Sequence, residues 1–162
     1  MAMWCVCCLL FVVDSLSYLS IHKGALDVKT ITNGWFDKFK NQNYGAIVTF
    51  VGVVRDECGI GGLSFDIYEP ILKNWFDTWQ AKAKEQNAVI LMAHSLGDVP
   101  LHESSFVACV CSPQRKVALR LIDEFVEDFK ASAPIWKYDI VDKNHIWIEK
   151  RGKNLKHSGI LS

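Results

Sequence analysis

Short apolar runs alternate along the chain with longer stretches whose apolar positions recur every three or four residues, and this alternation predicts its elements. Residues 18–22 read as a short strand. Residues 27–40 carry Ile31, Trp35, Phe36 and Phe39 at helical spacing, with Asp27 placed to cap the first turn and Gly34 weakening the helix. Residues 46–55 are β-rich and apolar enough to be covered on both faces, which predicts the central strand. A glycine-rich segment at 56–62 separates it from another strand at 63–68. Pro70 opens a helix that reaches residue 86, its Leu72, Trp75, Phe76, Trp79 and Ala83 forming a core-facing stripe. Strands at 88–93 and 105–111 follow, with a loop over 97–102 between them. A third helix spans 113–132 with Ala118, Leu121, Ile122, Phe125 and Phe129 inward, and strands at 135–141 and 145–149 close the domain.

Three helices and many strands joined directly to one another predict an α+β fold with a largely antiparallel sheet. No internal repeat or linker divides the chain, so residues 19–152 form one domain and 153–162 a polar tail containing lysine. Half of the 162 residues are apolar, which suffices for one substantial core. Residues 1–13 are almost wholly apolar and stop at Asp14. Such a run is too short to cross a bilayer, which takes about 20 residues. It also lacks the basic flank and cleavage site of a secretory signal. Two readings stand: an extension outside the domain, assigned to residues 1–18, or an apolar segment that packs on it.

Eighteen acidic residues balance eighteen basic ones, so no global field recruits nucleic acid or an anionic membrane, and any anion must be held by a local group of cations. Cys5, Cys7, Cys8, Cys58, Cys109 and Cys111 form no spaced disulfide framework, which points to a reducing cytoplasm. Cys109 and Cys111 lie two apart in an apolar run and face one way as core thiols. The segment Cys58-Gly59-Ile60-Gly61-Gly62 leads into a strand rather than a helix, so it is no dinucleotide fingerprint. It is a mobile lid following Arg55 or an ordinary glycine-rich connection.

Ser112-Pro113 has the signature of a helix start, with Ser at N-cap, Pro at N1 and Arg115 near N3. Free backbone N–H groups there favour an anion. In Lys130-Ala131-Ser132-Ala133-Pro134-Ile135-Trp136-Lys137, Pro134 forces Ala133 out of the helical region, so Lys130 and Lys137 flank one turn. Two cations held close in apolar surroundings push each other toward the neutral, nucleophilic form; solvated surface lysines are the plainer alternative. No nucleophile elbow, Cys/His pair or zinc helix occurs, and His94 and His145 sit in apolar runs as core or edge histidines.

At these residues the sequence resembles the molybdopterin synthase large, catalytic subunit family, over about residues 21–151. Gly45 to Gly52 with Val54-Arg55, Leu96-Gly97-Asp98, Ser112-Pro113-Gln114-Arg115, the Lys130 to Lys137 segment and Trp147-Ile148-Glu149-Lys150-Arg151 match its motifs in order. The resemblance implies an α/β hammerhead fold and a homodimer in which each large subunit binds one small ubiquitin-like sulfur carrier, giving a heterotetramer. The carrier's Gly-Gly thiocarboxylate would give its sulfur to cyclic pyranopterin monophosphate. By the family pattern Lys130 and Lys137 are catalytic, while Arg55, Gln114, Arg115 and Arg151 bind substrate, and no metal or organic cofactor is implied. Gln114 stands where many members have His, so an imidazole role there is lost. The alternative is a non-catalytic adaptor that keeps only the groove for a ubiquitin-like tail.

Overall fold

A computed structural model describes residues 18–57 and 59–148. Residues 1–17, Cys58 and 149–162 lie outside the described residues, and with them the apolar extension, the lysine-containing tail and Arg151. Within the described residues the elements run β1 (Leu19–Lys23), α1 (Val28–Phe39), β2 (Ala46–Val53), β3 (Gly62–Ile67), α2 (Glu69–Lys84), β4 (Val89–Pro100), β5 (Ser104–Ser112), α3 (Arg115–Ser132), β6 (Ile135–Val141) and β7 (Asn144–Trp147). Element types and order follow the sequence expectation, and so does the α+β class. The seven strands form one sheet in the order β2-β5-β4-β3-β6-β7, with β1 added in parallel to β4 and every other pairing antiparallel.

β4 organises this sheet. Its first half pairs with β5 through Val89 to His94, and its second half pairs with β3 through Gly97 to Pro100. Gly97 sits at φ +81° where the pairing changes, a conformation that L side chains rarely adopt. The loop expected over 97–102 is therefore mostly strand, because a kink at glycine carries the chain from one set of partners to the next. Only Leu101 to Glu103 turn, ahead of β5.

β2 is an edge strand, which corrects the expectation of a central one. Ala46, Val48 and Phe50 pack against the main core, while Val51 and Val53 face outward at 37% and 50% exposure. The central strands are β4 and β5, and every residue of β5 is buried, its serines and cysteines included. Alternation along these two strands separates the two faces. Ile90, Met92, Phe106, Ala108 and Val110 meet α2 and α3, while Leu91, Cys109 and Cys111 meet Phe39 of α1. The two thiols do face one way, 4.0 Å apart.

Local chemistry fixes the helices. The Asp27 carboxylate caps α1, accepting from the Thr30 backbone N–H at 3.0 Å and from its hydroxyl at 2.7 Å. Phe39 is buried, but Phe36 lies about 100° away around the helix from Trp35 and is 54% exposed. Leu72, Phe76, Trp79 and Ala83 form the buried stripe of α2. Asp128 joins α2 to α3, accepting from the Trp75 and Trp79 indole N–H groups at 2.9 and 2.7 Å. α3 begins at Arg115 with Gln114 at N-cap, two residues later than expected. Ser112 is still paired with Ala46 in the ladder, so its hydroxyl caps from the strand end, accepting from the Gln114 N–H at 3.2 Å. Gly45 makes this junction possible, since a Cβ there would stand 2.5 Å from the Pro113 carbonyl oxygen.

Candidate active site

Arg55 leaves the end of β2 from a fixed backbone. The neighbouring Val54 is 1% exposed, donates to the Glu103 carbonyl at 2.9 Å and accepts from the His102 N–H at 2.7 Å. The guanidinium itself is exposed and pairs with Glu57. After it the glycine-rich segment is not free at its far end: Ile60 is buried with Val54 and Leu63, and the Gly61 N–H donates to the Ile140 carbonyl at 2.7 Å. Those anchors favour the ordinary connection over a lid for residues 60–62.

Lys137 stands in the middle of β6 opposite Phe65. It shares a strand face with Ile135 and Val141, which pack on the small core of Val54, Ile60, Leu63, Phe65 and Val99, so its stem is half-buried. Burial lowers its ammonium below the ordinary lysine range; Asp139 works against that lowering and Arg55 works with it. The cation that acts on Lys137 is therefore Arg55, and not Lys130 as the turn between the two lysines suggested. Asp139 has one carboxylate oxygen buried without a hydrogen-bond partner among the described residues. Its spacing of two from Lys137 on a strand is the signal that would have found it in the sequence.

Lys130 lies in the last turn of α3, exposed, its ammonium 3.2 Å from Glu127. The backbone beneath it is anchored. Phe129 stacks on Phe106 with centroids 4.1 Å apart, and the Ala133 N–H donates to the Phe129 carbonyl at 3.2 Å. Ala133 is extended at φ −65°, ψ 133°, as Pro134 requires. Phe106 pairs with Gly52, so this helix end lies at the end of β2 from which Arg55 emerges. Arg55, Lys130 and Lys137 thus belong to one end of the molecule.

Gln114 and Arg115 belong to the other. Ser112 pairs with Ala46 at the opposite end of β2, and fifteen residues of α3 separate Arg115 from Lys130, a rise of about 22 Å. Both side chains are exposed, and Arg115 has no ion pair among the described residues. Within one chain α3 holds Arg115 a helix length from Lys130, apart from Arg55 and Lys137. His94 is a core histidine, 2% exposed among Phe65, Phe106 and Phe129, with Nδ1–H donating to the Ser95 carbonyl at 2.7 Å. His145 is an edge histidine 3.0 Å from Asp98. Among the described residues no three His, Cys, Asp or Glu side chains are grouped to hold a metal ion, and no helix is long and apolar enough to cross a membrane.

Known proteins similar to this chain share one name. The profile of the MoaE protein family matches residues 21–132. A molybdopterin synthase catalytic subunit from Helicobacter pylori strain 26695 is 47% identical over 144 residues, covering 89% of this chain and 99% of that protein. Its namesake from Pyricularia oryzae is 34% identical over 125 residues, covering 74% of this chain and 66% of that protein. A solved complex of subunits 1 and 2 of molybdopterin-converting factor from Helicobacter pylori 26695 contains a chain that superposes with a TM-score of 0.85 at 46% identity, covering 90% of this chain and all of that one. Molybdopterin synthase from Staphylococcus aureus, at 22% identity and a TM-score of 0.71, covers 82% of this chain and 98% of its own, and shares the fold.

Proposed function

The chain belongs to the MoaE protein family, and from that membership we propose how its own residues carry out sulfur transfer. It is a catalytic subunit of molybdopterin synthase, an enzyme of molybdenum cofactor biosynthesis, and it works with the small subunit of that enzyme. The small subunit's C-terminal thiocarboxylate enters at the end of α3, and its sulfur passes to cyclic pyranopterin monophosphate, twice for each dithiolene. The observation that carries this reading is the half-buried Lys137 beside Arg55, at the end of the molecule where Lys130 closes α3.

Each residue has a chemical task. Lys130, anchored through Phe129 and exposed at its ammonium beside Glu127, supplies and accepts the proton as water adds to the thiocarboxylate carbon and the carbon–sulfur bond breaks, leaving the carrier's carboxylate, or captures the acyl group as an amide that water then hydrolyses. Lys137, whose ammonium is disfavoured by burial, is the second proton carrier, and Asp139 opposes that lowering. Arg55 binds the anionic substrate by charge-assisted hydrogen bonds, as does Arg151. The cytoplasm supplies both partners of the reaction and is the site proposed for it.

Gln114 and Arg115 serve a second copy. A chain that places them about 22 Å from its own Lys130 uses them only where a symmetric dimer brings that end against the partner's catalytic end. Gln114 donates a hydrogen bond to the phosphate there but does not titrate. The test mixes Lys130→Ala protein with Arg115→Ala protein, each of low turnover alone, after subunit exchange. Random pairing regenerates one intact site in each mixed dimer, about a quarter of wild-type sites. Mixtures no more active than their components remove the shared site. A non-catalytic adaptor, the alternative, gives no product from thiocarboxylated carrier and pyranopterin even in the unmutated protein.

A further inference from the structure

A groove of about 820 Å³ opens between β1 and α2, lined by none of the cations assigned to catalysis or substrate. Its floor is apolar. Leu72 and Phe76 lie at the bottom, Leu19 and Ile21 form the half-exposed wall, and the salt bridge from Lys73 to Asp77, 2.7 Å long, marks the rim. Tyr18, 42% exposed, stands at one end, and there the chain arrives from residue 17. Residues 1–13, ahead of Asp14-Ser15-Leu16-Ser17, are Met-Ala-Met-Trp-Cys-Val-Cys-Cys-Leu-Leu-Phe-Val-Val, without a charged side chain. This stretch precedes the family match, which begins at residue 21.

Kept apart, an apolar stretch and an apolar groove in one chain would each leave surface in water that burial removes. Residues 14–17 extend at most about 14 Å, so the stretch before them stays within reach of the groove. A tether that short keeps the stretch near the groove at an effective concentration on the order of millimolar, well ahead of a partner in solution. We propose that residues 1–13 dock in the groove between β1 and α2 and cover Leu19, Ile21, Leu72 and Phe76. The segment is then a structural cover of this chain's own core, over a groove that none of Arg55, Lys130 and Lys137 lines.

Cys5, Cys7 and Cys8 supply the probe. In the full chain Lys73→Cys places a thiol on the rim, and Asp123→Cys places one on the exposed face of α3 as a control. Copper phenanthroline takes two electrons and two protons from each thiol pair to form the disulfide, and mass spectrometry of the peptides locates it. Docking yields an intrachain link from the rim thiol to Cys5, Cys7 or Cys8 at least about tenfold above the control, unchanged on dilution. Equal yields from rim and control overturn the proposal. So do links that form only between chains and vanish on dilution, which would seat a second copy in the groove, or flotation of the full chain with phosphatidylcholine vesicles, which would give the segment to a membrane. Removal of residues 1–17 must also raise binding of an apolar fluorescent dye, and unchanged dye binding overturns the proposal independently.

Discussion

Replacing Lys130 by alanine separates catalysis from folding. The side chain is 62% exposed and its one ion pair, to Glu127, spans a single helical turn on the surface. Such a pair is worth about 0.3–0.5 kcal/mol, so the denaturation midpoint should barely move. Loss of a positioned proton-transfer group costs about 10²–10⁴-fold in rate, or about 2.7–5.4 kcal/mol on the barrier. The two effects differ by nearly an order of magnitude in free energy and cannot be confused. Lys130→Arg should fail as well, because a guanidinium stays protonated and serves as neither base nor nucleophile. The assay is dithiolene formed per enzyme at saturating thiocarboxylated carrier, with circular dichroism on the same sample. A folded Lys130→Ala variant that keeps more than about a tenth of the wild-type rate refutes the reasoning and moves the role to Lys137.

His94 makes stability depend on pH. Burial among aromatic rings lowers its pKa to about 4, so the neutral ring is favoured in the fold, and the stabilisation present above pH 6.5 is lost as pH falls toward 4, by up to about 3 kcal/mol. Urea midpoints at pH 7 and pH 4.5 should diverge more in the wild type than in His94→Gln; parallel curves would refute this. Gly45→Ala pushes a methyl toward the Pro113 carbonyl and should cost about 1–3 kcal/mol while raising KM through displaced Gln114 and Arg115. A variant with unchanged midpoint and KM would show that the junction yields. Asp128→Ala strands two indole N–H groups and should cost about 2–4 kcal/mol in urea without changing the rate per folded enzyme; a loss under about 0.5 kcal/mol would mean that the indoles find water instead.

Periodicity located the helices well because their stripes answer to one partner surface. Leu72, Phe76, Trp79 and Ala83 recur at a spacing that only a helix places on one side, and Asp27 and Pro134 mark their boundaries by backbone chemistry alone. Position within the sheet is a different kind of information. β2 is apolar on both faces but stands at an edge, whereas β5, with its serines and cysteines, is wholly buried, because neighbours and not composition decide coverage. Gly97-Asp98-Val99-Pro100 has the composition of a loop, and only the partner β3 makes it a strand. At the site, the motifs named the cations but not their grouping. That Arg115 and Lys130 stand a helix apart follows from counting residues at 1.5 Å each, while the influence of Arg55 on Lys137 depends on the fold bringing the residues after β2 to the small core under β6, which no spacing encodes.

Because β4 serves two sets of partners, its alignment is checked twice. A slip of one residue would turn Ile90 and Met92 toward α1 and Leu91 toward α2, exchanging the occupants of the two layers. The same slip would withdraw Val99 from the small core behind Lys137, offer Asp98 in its place, and ask a residue with a side chain to adopt the φ of +81° that Gly97 holds. Either error alone would be costly; a misaligned strand incurs both. The strand that carries the sheet from one end to the other therefore also acts as a proofreader, admitting a single register and fixing the frame in which β3 and β6 present Lys137.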